Sequence, residues 1–349
     1  MLDALNNEIK LKASDQNEIE TIYLGGGTPS ILTPEEIKKL LSNVRNNFSI
    51  SDHAEITMEA NPDDITEERL IQWKEIGINR FSIGIQSFRE EDLIWMNRAH
   101  NAEQALQCIK MVKEAGFDNY SVDLIYGTPT LSDDDWRKNV ETIINLKVPH
   151  ISCYALTVEP NTALHKMIGL KKKQDVESEK QASQFLLLMD WLATAGYEHY
   201  EISNFAKPGY RSKHNSSYWQ GKNYIGIGPS AHSFYGNKRQ WNISNNALYI
   251  RSLQKNIIPF EEEILSETQK INEYIMTSLR TIEGIDLNFI EKRFGDEISR
   301  QLKATGKKFI TNYQLLPMDI GTTNNKLILT NEGKLFADGI AAELFVEEK

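Results

Sequence analysis

From about residue 20 to 205 the chain repeats one pattern: a short apolar run rich in β-branched and aromatic residues, a break, then apolar positions at helical period. The runs read EIETIYL, AEITMEA, NRFSIGI, YSVDLIY and HISCYAL, and they end near Gly25, Glu59, Gln86, Asp123 and Tyr154. Strands so apolar on both faces are those that helices cover on each side in a parallel sheet. Their recurrence at roughly 30-residue intervals matches the length of a strand, a crossover helix and a return. A sixth run, Glu198 to Ile202, follows a long helix containing Phe185 to Leu192. Thr33-Pro34-Glu35-Glu36 and Thr66-Glu67-Glu68 place a capping Thr before acidic first-turn residues, so helices start where crossovers should. The pattern predicts an α/β fold, a partial parallel (β/α) barrel. Leu2, Leu5 and Ile9 form a helical stripe, so the chain opens with a helix where such an array opens with a strand. The expected barrel therefore lacks its first strand.

Past residue 205 the pattern changes. Between Glu201 and Glu261 there is no Asp or Glu, while Lys207, Arg211, Lys213, Lys222, Lys238, Arg239, Arg251 and Lys255 supply positive charge among many glycines and aromatics. From Glu267 onward three helical stretches, an apparent hairpin around Gln314 to Leu329 and a final helix through Phe336 and Leu344 suggest a small α+β winged-helix-like domain. The expected division is a barrel over 1–205, a basic Gly/aromatic-rich insert over 206–262 and the winged-helix-like domain over 263–349. The full chain has 349 residues and a formal charge of −10. That balance argues against nucleic acid, which attracts an excess of Lys and Arg. No apolar run reaches the ~18 residues of a spanning helix, and the start lacks the order of a signal peptide, so a cytoplasmic location is expected. Only Cys108 and Cys153 are present, too few for a disulfide framework.

In parallel barrels the chemistry gathers at the carboxyl ends of the strands. Gly25-Gly26-Gly27-Thr28-Pro29 follows the first run, and three glycines let the backbone approach a ligand closely and leave N–H and C=O groups free to bond it; a plain tight turn is the other reading. Glu59, Gln86, Arg98 and Asp123 lie at or just beyond later strand ends. Each alone could be a solvated strand-end residue. Together they suit a small zwitterion with hydroxyls, because carboxylates bond an ammonium or ribose and Arg pairs with a carboxylate.

GGGTP, EANP, GIQSF, the NRAH region, DLIYG, HNSSYW and GIGPSAHSF occur in this order, and with them the chain resembles the radical S-adenosylmethionine (SAM) proteins related to oxygen-independent coproporphyrinogen III oxidase, in particular their heme-chaperone branch. The resemblance implies a radical SAM-type barrel in which Gly26, Gly27 and Thr28 hold the methionyl amino group of SAM. It also implies contacts to SAM from Glu59, Gln86, Arg98 and Asp123, with Ala155 and His232 near the adenosine. The family carries a CxxxCxxC motif whose three thiolates hold a [4Fe-4S] cluster, and this sequence has no such motif. Cys108 and Cys153 are expected in the packed core. The missing motif belongs with the missing strand, so an N-terminally shortened version of a longer protein is expected over a degenerate, cluster-free relative. No catalytic residue is assigned, and the chain as it stands is expected not to cleave SAM.

HNSSYW matches the HNxxYW pattern of the heme-chaperone branch. It implies heme contact from His214, Asn215, Tyr218 and Trp219, with His214 an iron ligand, aromatics on the porphyrin face and Lys or Arg on its propionates. His53, His100, His150, His165 and His199 are expected to be ordinary hydrogen-bonding residues, and Lys171 to Lys173 a solvated linker. The expected function is a heme chaperone that delivers heme to hemoproteins. A coproporphyrinogen oxidase-type enzyme fed by an electron donor and a catalytically silent adaptor are the alternatives, and a homodimer stays open.

Overall fold

Buried strands covered by amphipathic helices organise the computed structural model, which describes residues 1–13, 18–319 and 325–347. The strands of the main sheet are β1 (Ile19–Leu24), β2 (Ile50–Ala60), β3 (Arg80–Gln86), β4 (Tyr120–Tyr126), β5 (His150–Ala155), β6 (Glu198–Glu201) and β7 (Asn204–Ala206). Their order is β1-β2-β3-β4-β5-β7-β6, an open sheet with β1 and β6 at its edges. The pairs β2–β3, β3–β4 and β4–β5 are parallel, as expected for a partial barrel. The sixth run departs from expectation. β7 pairs antiparallel with both β5 and β6, so it separates them. The Glu201 carboxylate accepts hydrogen bonds from Ser203 N at 3.1 Å and Asn204 Nδ2 at 2.6 Å, and this closes the tight turn that folds β7 back.

The chain divides into two compact units, one made of Met1–Ile22, Leu32–Glu55 and Lys213–Lys349, the other of Tyr23–Ile31 and Ile56–Ser212. The second unit carries β3 to β7 and the carboxyl ends of β1 and β2. Thr66 caps the helix Glu67–Ile76, whose Trp73 packs 5.6 Å from Phe81 of β3. The helix Ala102–Glu114 buries Ala105, Cys108, Ile109 and Val112. Cys153 is buried in β5, so both cysteines serve the core. Tyr126 stacks on Phe185 of the helix Ser178–Thr194, at 5.9 Å. Lys173 is not merely a solvated linker residue: it lies over the Trp95 ring at 4.7 Å and bonds the Trp95 carbonyl.

In the first unit the helix Leu2–Leu11 packs Ile9 against Leu40 and Phe48. Thr33 forms a full capping box on the helix Pro34–Asn47. Glu8 is buried and accepts from Gly228 N at 2.8 Å, Asn242 Nδ2 at 2.7 Å and the Tyr249 hydroxyl, with Lys12 paired at 2.9 Å. β8 (His232–Tyr235), β9 (Lys238–Asn242) and β10 (Phe260–Ile264) form an antiparallel sheet. The pairing sets Glu262 and Glu263 against the basic residues of β9. Lys238 meets Glu262 at 2.6 Å, Arg239 meets Glu273 at 2.5 Å, and Lys222 meets Glu20 at 2.7 Å. Arg211, at the end of the second unit, pairs with Glu198 at 2.8 Å. Much of the acid-free segment's positive charge is thus neutralised by acids from outside it.

The last part holds the helices Glu267–Leu279, Leu287–Phe294 and Asp296–Thr311, the antiparallel strands β12 (Leu315–Asp319) and β13 (Asn325–Leu329), and the helix Ala337–Leu344. A two-residue strand, β11 (Ile285–Asp286), also pairs with β13. The expected succession of helices, hairpin and final helix is present. The turn of the hairpin lies outside the described residues. Among the described residues no helix is long and apolar enough to cross a membrane.

Candidate functional site

A cavity of about 270 Å³ opens at the carboxyl ends of β1 to β4, within the second unit. Gly27, Thr28, Glu59, Gln86, Arg98 and Asp123, all expected site residues, line it. Gly26 adjoins it, donating its N–H to Glu59 Oε2 at 3.3 Å. Gly25 is required by space and Gly26 by conformation. A Cβ at Gly25 would lie 2.6 Å from the Tyr23 ring and 2.8 Å from Glu59 Oε1, and Gly26 has a φ of 81°. Beyond Pro29, Ser30 anchors the loop: its hydroxyl donates to Asp64 at 2.6 Å, and its carbonyl accepts from Arg69 at 2.9 Å.

Negative groups stand together in this cavity. Glu59 accepts the Tyr23 hydroxyl proton at 2.9 Å, and burial next to that carboxylate pushes the Tyr23 phenol up. Asp123 is half-buried on β4, and its pKa is raised to about 6, mainly by dehydration, with Glu59 adding repulsion and Ser152 and Arg80 opposing. Two carboxylates held together in this way attract a cation. Donors stand over Gly84: an added Cβ there would meet Gln86 Nε2 at 2.9 Å and Arg98 NH2 at 3.5 Å. Arg98 bonds Asn61 Oδ1 at 3.0 Å and the Gly84 carbonyl at 3.3 Å. Its Nε is buried with no partner among the described residues. The cavity thus brings acidic groups together with an amide and a guanidinium, a set whose chemistry suits a zwitterion such as the amino-acid end of SAM.

Sequence reasoning missed Asn61, Ser82 and Gly84 of the lining. Each lies in or beside a motif already noticed, and Gly84 could have been found by the two-residue strand period, which puts it on the face of Gln86. Ala155 ends β5 opposite Tyr126, but it does not line the cavity. His232 begins β8, exposed, in the first unit, with its ring 6.2 Å from that of Trp241.

The expected heme residues also belong to the first unit, on the short helix Lys213–Trp219. Buried Glu55 accepts from the backbone N of Lys213 at 3.2 Å and of His214 at 3.0 Å, which fixes where this helix starts. Both ring nitrogens of His214 are engaged, Nδ1 with Thr21 Oγ1 at 2.8 Å and Nε2 with the Tyr218 hydroxyl at 3.0 Å. Tyr218 is exposed and meets Tyr224 edge-on at 4.7 Å, and Trp219 lies under Arg280 at 5.4 Å. Asn215, half-buried, sits on the same helix.

A family model described as the Radical SAM superfamily matches residues 2–143. Over 344 residues the chain is 31% identical to the heme chaperone HemW of Bacillus subtilis, covering 97% of this chain and 89% of the relative. The chain belongs to the HemW family of radical SAM proteins. The HemW of Mycobacterium tuberculosis is 32% identical over 98% of this chain and 85% of its own. The solved coproporphyrinogen III oxidase HemN of Escherichia coli superposes with a TM-score of 0.82 at 22% identity, over 99% of this chain and 82% of that one, which establishes the fold. Radical SAM chemistry draws on a [4Fe-4S] cluster held by three thiolates. This HemW-family sequence does not fit that group. It contains two cysteines, both buried, and no cluster of His, Cys, Asp or Glu among the described residues is placed to hold a metal.

Proposed function

We propose that this protein is a heme chaperone whose strand-end cavity binds SAM. The observation that carries the SAM half is the gathering of six separately expected residues, from four neighbouring strands and the segments that follow them, around a single cavity. Glu59, Asp123 and the backbone of Gly26 and Gly27 would hold the amino group and ribose, and Arg98 with Gln86 the carboxylate. Bound SAM supplies a sulfonium and a potential 5′-deoxyadenosyl radical. The residues of this cavity would bind and orient it.

The heme half is supported by the likeness to relatives named heme chaperones and by the HNSSYW helix. Heme is cargo, received and then passed to an apo-hemoprotein. His214 would become its ligand by exchanging the Tyr218 hydroxyl for iron, with the exposed Tyr218 ring beside the porphyrin. Titration of the purified chain with heme should give a saturable Soret shift that His214→Ala weakens by roughly tenfold. Equal affinity in the variant would remove His214 from the site, and absence of any shift in the parent would end the chaperone reading.

A further inference from the structure

Gln86 occupies a backbone region that residues with side chains rarely adopt, with φ 67°, where the register of β3 against β4 slips between Ile83 and Gln86. Such a conformation persists only when its surroundings hold it, and it gathers at functional sites. What holds it is the carbonyl of the preceding residue. Ile85 O accepts Ser87 N at 2.8 Å and the Nε2–H of His100 at 2.9 Å. His100 is buried, 3% exposed, and its other ring nitrogen has no partner among the described residues. A buried imidazole that leaves one nitrogen unpaired is a costly way to make one hydrogen bond, unless that bond fixes something. Burial also lowers the His100 pKa, so the ring stays neutral and its single N–H is committed to Ile85.

The turn at Gln86 has a visible product. It brings the carboxamide back over Gly84, to the same spot that the Arg98 guanidinium reaches from two residues before His100. One short stretch of chain thus delivers both the guanidinium and the clamp. We propose that His100 is a positioning residue of the cavity, holding Gln86 in its left-handed turn so that the Gln86 amide and the Arg98 guanidinium face one anionic group of the ligand. This deepens the SAM reading above and rests on it for the identity of that group, the α-carboxylate.

The test uses the full chain, His100→Leu and His100→Gln, whose side-chain amide can donate to the same carbonyl. Calorimetry measures affinity for SAM and for decarboxylated SAM, and hydrogen exchange follows the backbone amides of residues 84–88 in ligand-free protein. His100→Leu should weaken SAM by roughly tenfold but the decarboxylated compound by no more than about twofold, and His100→Gln should recover most of the loss. Exchange at Ser87 should rise in His100→Leu, and that rise should shrink in a Gln86→Gly background, where the left-handed turn needs no clamp. Equal weakening of both ligands, or unchanged exchange, overturns the proposal. If the parent binds neither ligand, the SAM reading falls, and the exchange comparison alone decides whether His100 clamps the turn.

Discussion

Asp123 shows how a single carboxylate trades stability for binding. Its folded pKa, about 6, lies above the ordinary value of 3.8, so the fold holds its proton more tightly than the unfolded chain does between those values. The stability it contributes is present below the lower value and is lost as pH rises through about 6. At pH 7 the ligand-free protein carries an ionised Asp123 that its surroundings disfavour. Asp123→Asn should therefore raise ligand-free stability at pH 7 by about 1–3 kcal/mol in urea unfolding, while weakening SAM. Affinity of the parent for SAM should in turn tighten as pH is raised from 5 to 7, because only the ionised form attracts the cationic end of the ligand. Glu59 and Arg98 line the same cavity, and the guanidinium stays charged throughout. A calorimetric pH series with no inflection near 6 would contradict the assignment.

Among the elements, the loop after β3 owes its path to a buried polar knot. Asp92, 1% exposed, accepts from Ser87 at 2.9 Å, Thr130 at 2.6 Å and Arg89 at 3.0 Å. Asn139 completes it, bonding Phe88 N and Ser87 Oγ, both at 3.0 Å. Removing one member of such a set leaves the others dehydrated and unpaired, so Asp92→Ala should cost about 3 kcal/mol in urea unfolding. The opening helix is tied down in the same manner. Glu8 joins it to Gly228, Asn242 and Tyr249, and Glu8→Ala should cost about 3–5 kcal/mol, with the loss read as a lower denaturation midpoint. A loss under about 1 kcal/mol in either variant would show that the bonds are replaceable by water.

Taken as one polypeptide, the protein gathers the residues proposed to hold SAM around one cavity, on a chain with two cysteines, both in the core. Binding and chemistry should therefore come apart. After iron and sulfide reconstitution with a strong reductant, SAM should still bind, and no 5′-deoxyadenosine should form. Formation of that product would overturn the reading of this chain as a binder only. Heme uptake should proceed under the same conditions with or without reductant.

The parallel strands, their ends and the helix caps were legible in the amino-acid order, because burial on both faces and capping geometry act over a few neighbouring residues. Glu59 and Gln86 were legible for the same reason, a polar residue closing an apolar run, and Asp123 because a carboxylate inside such a run stands out locally; Arg98 was noticed only in the NRAH stretch beyond a strand. The place of β7 was not, since three residues, Asn204 to Ala206, carry too little pattern to announce a strand, and only pairing with β5 makes them one. Nor was the neutralisation of the basic segment, which depends on β10 folding back so that Glu262 and Glu263 reach Lys238 and Arg239. Local order specifies which groups a strand end carries. Hydrogen bonding between distant stretches specifies which of those groups meet, as when His100 and Ile85 fix the turn that sets Gln86 beside Arg98.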